Sequence, residues 1–335
     1  MATTLAEIRA KLQAQENRQG GNSTGDNAIF AHWNIPEGST SRIRFLPDAN
    51  TKNSFFWVER AMIKLPFAGI KGQADSKPVV VQVPCIEMWE PNACPILAEV
   101  RTWFKDASLE EMGRKYWKKK SYLFQGFVRE STLGDDKVPE NPIRRFVISP
   151  QIFNIVKAAL MDPEMEELPT DLERGLDFLI TKTSKGGYAD YSTSKYARKE
   201  SALTEVERAA IEQYGLYDLQ DFLPKRPNDV ELKVMKEMFE ASVDGQAYDP
   251  DKWGAYYKPA GFTSGGNAAS VSTSSDEDAP VAKPVSQAAP ARSAPFNTDE
   301  DDAPPAAATP VAAPKPAGGQ RAEDILAMIR NRQKQ

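Results

Sequence analysis

From residue 263 to 319 the chain consists mostly of Ala, Pro, Ser, Thr and Gly, broken by the acidic runs Asp276-Glu277-Asp278 and Asp299-Glu300-Asp301-Asp302. So few large apolar side chains cannot offset the entropy of ordering the backbone, and the composition predicts disorder. Whatever packs into a core must therefore lie before about Phe262. Beyond the linker, the segment from Ala322 to Arg330 regains helical amphipathicity, with Ile325, Leu326 and Ile329 as its apolar positions. An apolar peptide on a long acidic tether suits the docking of partners. The expected organisation is an arm over 1–22, a core over 23–260, a linker over 261–319 and a docking peptide over 320–335.

At the other end, Thr4-Leu5-Ala6-Glu7 reads as a capping box opening a short helix. Leu5, Ile8 and Leu12 fall on one stripe, with Arg9 and Lys11 elsewhere around it. Glycines and small polar residues over 19–25 end the element. So short a helix does not bury its apolar stripe alone, so it is expected to dock on its own core or on a neighbour.

Between these ends the pattern is that of short strands interrupted by a few helices. Ser41-Arg42-Ile43-Arg44-Phe45-Leu46-Pro47 alternates and stops at proline, as a half-buried strand does. Further strands are expected over 55–58, 79–83, 121–128 and 144–148, and helices over 94–105, 150–161, 205–214 and 229–241. Such a mixture points to a barrel-like α+β core rather than alternating βαβ units.

The net charge of −5 argues against a nucleic-acid partner only as a sum. The stretch 162–173 is strongly acidic, whereas the segments near Lys118 and Lys185 are basic, so charge is segregated along the core. No apolar run approaches the roughly 20 residues of a membrane span, and residues 1–19 lack the apolar centre of a secretory signal. Two cysteines, Cys85 and Cys94, fit a reducing cytoplasm better than a disulfide framework. Catalysis finds little support, because the sequence has no P-loop, GxGxxG, Gly-x-Ser-x-Gly or HExxH motif and one histidine, His32. Asp135-Asp136, in Gly134-Asp135-Asp136-Lys137, is more simply a hairpin turn than a nuclease pair. Cys94-Pro95-Ile96-Leu97 carries half of a zinc-type pair, with Leu97 in place of the second thiol. Two buried thiols, no metal, no cofactor and no enzyme activity are therefore expected.

Two segments carry the residues suited to binding. Lys118-Lys119-Lys120 precedes Tyr122 and Phe124, and interleaved lysines and aromatics suit unpaired strands. Lysines neutralise phosphates and release counterions, while flat rings stack on bases at roughly 1–3 kcal/mol each. The alternative is that Tyr122 and Phe124 are core and the lysines a solvated edge. The second segment has Lys182, Lys185, Tyr188, Tyr191 and Lys195 around Gly186-Gly187, in what reads as a polar loop. The same groups accept unpaired RNA, so a single-stranded RNA-binding regulator of translation is the other reading.

Taken in order, Ile43-Arg44-Phe45-Leu46-Pro47, Cys85 with Cys94-Pro95, Lys120-Ser121-Tyr122 and the run from Tyr188 to Tyr196 resemble the helix-destabilising single-stranded DNA-binding protein of T-even-like bacteriophages. The resemblance spans roughly Ser41 to Leu203. It implies an OB-fold-like five-stranded β-barrel with helical additions, and cooperative, largely sequence-independent binding during phage DNA replication, recombination and repair in the host bacterial cytoplasm. It assigns DNA contact best to Tyr188, Tyr191 and the neighbourhood of Lys120. It assigns protomer contact to the N-terminal arm and recruitment of replication and recombination proteins to the tail. The family's zinc lobe uses one His and three Cys. Here the lobe, around residues 60–105, keeps two cysteines, and packing by Trp89, Ile96 and Leu97 is expected in place of the metal.

Overall fold

The computed structural model describes residues 28–73, 75–133 and 139–260. The arm, the linker, the docking peptide and the Asp135-Asp136 turn thus lie outside the described residues. Nine strands and six α-helices are present among those described: β1 (Thr40–Phe45), β2 (Val58–Phe67), β3 (Val79–Pro84), α1 (Pro95–Trp103), α2 (Glu110–Tyr116), β4 (Lys119–Glu130), β5 (Arg144–Ile148), α3 (Pro150–Leu160), β6 (Leu176–Thr181), β7 (Thr183–Lys185), β8 (Tyr188–Asp190), β9 (Lys195–Glu200), α4 (Glu205–Tyr214), α5 (Asp229–Val243) and α6 (Pro250–Trp253). The class is α+β. None of the described helices is long and apolar enough to cross a membrane.

Seven strands form one mostly antiparallel sheet in the order β3-β2-β4-β1-β6-β9, with β5 on the other edge of β4. The long strand β4 is its hub. At Tyr122 and Leu123 it pairs with β2 and β5 at once, and at Gly126 with β1 and β5. Hence β2 and β1 follow one another along a single edge of β4. The crossing at Gly126 is so close that a Cβ there would lie 2.0 Å from the Arg44 carbonyl oxygen, which only glycine avoids.

Two large apolar clusters pack against this sheet side by side. One gathers Ile63, Leu65, Val83, Leu97, Trp103, Tyr116, Phe239 and Trp253 from β2, β3 and helices α1, α2, α5 and α6. The other gathers Ile43, Phe45, Phe124, Phe146, Ile152, Val156 and Phe178 beneath α3. Cys85, Cys94, Ile96 and Leu97 are buried in the first, with Trp89 packed against it.

Three local expectations change. Residues 55–57 form a loop and not a strand, because Asn53 accepts from the Phe55 amide and donates to the Trp57 carbonyl, capturing the backbone groups a ladder needs. The loop expected around Gly186-Gly187 is a hairpin of β7 and β8, its turn made by these glycines at φ 63° and 86°, as a primed turn requires. Finally, the polar positions of β1 are not all solvated. Arg44 is wholly buried and donates to the Asp171 carbonyl, so the segment before β6 covers that face.

Candidate nucleic-acid interface

The lysine run sits at the seam between the two cores. Trp117, just before it, belongs to the first cluster and Tyr122, just after it, to the second. Strand alternation then divides the run. Lys119 lies opposite Met62 and shares a face with Arg60, which donates to the Ser121 hydroxyl, and with Lys64. Lys120 lies opposite Ala61 and shares the other face with Glu59 and Tyr122. Lys119 and Lys120 therefore cannot line one groove together.

The cations beside this seam face carboxylates. Lys118 Nζ lies 3.1 Å from Glu87, which also accepts from Arg101, and Lys120 Nζ lies 3.4 Å from Glu59. Burial opposes ionisation of Glu87, but the hydrogen bonds from Arg101 and Lys118 and their positive charge together hold it below the usual carboxylate range. A phosphate entering here would compete with these acids for positive charge already gathered in place.

The aromatic residues separate by burial. Phe124 has no exposed surface and packs on Phe45, Phe56 and Trp57. Tyr122 is 8% exposed and is covered by Phe153, and Tyr191 is 4% exposed with its ring edge-on to His32. These three rings have no open face for a base, a correction to their expected role. The cause is that β4 and the segment after β8 point them into the second core, where apolar burial prevails. Tyr188, by contrast, is 66% exposed on β8, opposite the exposed Lys185. Lys182 is turned back onto the Trp33 carbonyl, and Lys195 is exposed on β9 opposite Leu179.

Helix α3 joins the two sequence segments. Its Gln151 donates to Asp190 Oδ1 at 2.6 Å and accepts from the Tyr191 amide at 3.0 Å, fixing the base of the hairpin. Its Phe153 covers Tyr122 and meets Trp57 edge-on. The Ser192 hydroxyl, at 2.6 Å, leads the hydrogen bonds that hold the Asp190 carboxyl low, against the opposing effect of burial. The Tyr188 hairpin and the Lys120–Tyr122 strand thus converge on the first turn of one helix.

The structure adds an exposed ring that local sequence did not single out, at the border of the second core. Phe55 is 57% exposed and stacks on Trp57, and Trp57 in turn stacks on Phe124. A Phe-Phe-Trp run reads as strand by propensity, and the asparagines before it are the signal for a turn instead.

In the first core, Cys85 donates to Cys94, and the amides of Leu97, Ile86 and Ile96 add theirs. Together they hold the Cys94 thiol below its ordinary range, against the opposing effect of burial. Among the described residues, no three His, Cys, Asp or Glu side chains converge as the ligands of a metal would. Comparison of the chain with family models and with curated proteins finds no match.

Proposed function

We propose that this chain binds single-stranded DNA, without a chemical step, along the seam between its two cores. The observation that carries the reading is the placement of Lys118 and Lys120 at that seam, on a core that also leaves the rings of Phe55 and Tyr188 open to solvent. Cations that meet phosphates and rings that meet bases are the two parts of a sequence-tolerant single-strand site. Binding only the unpaired strand melts secondary structure by mass action. In this reading the arm, through Leu5, Ile8, Arg9, Lys11 and Leu12, contacts the next protomer. The tail, through Ile325, Leu326 and Ile329, docks replication and recombination proteins.

An OB-type barrel is part of the same proposal. The connectivity supports it: β1, β4 and β5 form a meander, α3 follows, and β6 with β9 form a hairpin whose first strand pairs back onto β1. In this reading β2, β3, α1 and α2 are an insertion between the first two barrel strands.

The test is a tryptophan-fluorescence titration with poly-dT and poly-U at two salt concentrations. Salt-sensitive binding of poly-dT, weakened in Lys118→Ala/Lys120→Ala and with its slope of log K against log salt reduced by about 1–2, is the expected result. Preference for poly-U would transfer the site to RNA. Absence of binding to both polymers would end the proposal.

A further inference from the structure

Phe55 leaves more than half of its surface in water, although a turn at this position needs no aromatic ring. Its position is fixed from below and from both sides. Beneath it the ring of Trp57 lies 4.7 Å away at 30°, and beneath Trp57 that of Phe124 lies 5.7 Å away at 29°, so a ladder of rings rises from the second core to the surface. To the sides, the loop is pinned by its own polar groups. Asp48 accepts from the amides of Asn50 and Leu219 and from the Asn53 side chain, while Asn53 holds the Phe55 amide and the Trp57 carbonyl. A ring held in this way loses little conformational freedom when something stacks on its open side.

The ladder also lies on the right face. Trp57 contacts Phe124 and Phe153, which places it on the side of the sheet that carries Glu59, Lys120 and Tyr122. Lys120 brings positive charge to that same face, two residues before the buried Tyr122, and Lys118 adds charge just before the strand begins. An open apolar ring on a face that also carries a cation offers both kinds of contact that a single strand makes, base on ring and phosphate on cation.

We propose that Phe55, backed by Trp57, is a nucleobase-stacking subsite, taking the role that the buried Tyr122 and Phe124 cannot fill. The subsite rests on the single-strand reading above. It is distinct from the Tyr188 hairpin and accepts any base, since every base presents a π-face.

The experiment uses the full chain and two short oligomers of equal length, one of thymidines and one of abasic sites, each long enough for one protomer. Phe55→Ala should weaken thymidine-oligomer binding by roughly 5- to 150-fold. It should leave abasic binding and the melting temperature unchanged, and Phe55→Trp should restore the affinity. Unchanged thymidine binding in Phe55→Ala, with the wild type binding well, would overturn the subsite while leaving the single-strand reading intact. An equal loss on both oligomers would assign Phe55 a role in folding instead. Loss of self-association in sedimentation, with oligomer affinity retained, would make it a protein contact. If the wild type binds neither oligomer, the single-strand reading itself fails and the subsite with it.

Discussion

The ring of Phe153 lies face to face with that of Tyr122, centroids 3.5 Å apart and planes 9° from parallel. This contact joins α3 to the central strand β4 and closes one side of the second core. Tyr122→Ala should therefore lower stability by about 3–5 kcal/mol, the range for emptying a buried aromatic site. Measured in urea, the midpoint should fall while the protein that remains folded binds single strands as before. A loss of affinity without a loss of stability would return Tyr122 to the binding surface.

Tyr188 and Tyr191 lie three residues apart and should behave oppositely. Tyr188 projects from the hairpin with no core behind it, so Tyr188→Ala should weaken single-strand binding by roughly 5- to 150-fold and leave unfolding unchanged. Tyr191 is enclosed with His32, so Tyr191→Ala should cost about 2–4 kcal/mol of stability. Parallel titration and unfolding curves for the two variants decide the matter. Matching effects in both assays would mean that the hairpin and the core act as one unit.

That contrast also marks how far the sequence could be read. Strand β5 and helix α4 were legible to the residue: Phe146-Val147-Ile148 supplies the apolar end of the strand, and the structure closes the start of the helix with a capping box of Thr204 and Glu207. Strands β6 and β9 were not, since polar residues interrupt Leu176–Thr181 and Lys195–Glu200 is nearly all polar. Within the site, the lysine run was visible, but its division between two faces follows from β4 starting at Lys119, two residues before the strand expected over 121–128. Lys120-Ser121-Tyr122 and Lys185-Gly186-Gly187-Tyr188 look alike locally as a lysine near a tyrosine. What separates them is Phe153, about thirty residues from either, and no local pattern reports a contact at that distance.

Glu87 should govern part of the acid response. Its carboxyl sits below the usual range in the folded chain because Arg101 and Lys118 outweigh its burial. A group depressed on folding stabilises above its unfolded pKa, near 4.3, and that contribution disappears as pH falls through the lower folded value. Glu87→Gln should therefore cost about 1.5–3 kcal/mol at pH 7 and show a shallower loss of stability below about pH 4 than the wild type. Urea unfolding at pH 7, 5, 4 and 3 gives both readouts. An acid limb of identical slope in the variant would remove Glu87 from the account.

The first core should hold together without metal. Cys85 and Cys94 supply two thiols. The position that would complete a second pair is Leu97, fully buried among Val83, Val100 and Trp103 and so bound into the apolar packing. A tetrahedral site needs two further ligands, and no third His, Cys, Asp or Glu joins these thiols among the described residues. Prolonged dialysis against a strong chelator should leave the melting temperature within about 1 °C, in contrast to metal-built lobes, which unfold when stripped. Both thiols should also resist a thiol-reactive disulfide reagent in the native protein and react fully in denaturant, because neither has exposed surface. One zinc per chain, with a fall in melting temperature on its removal, would show that ligands beyond these two cysteines complete a site.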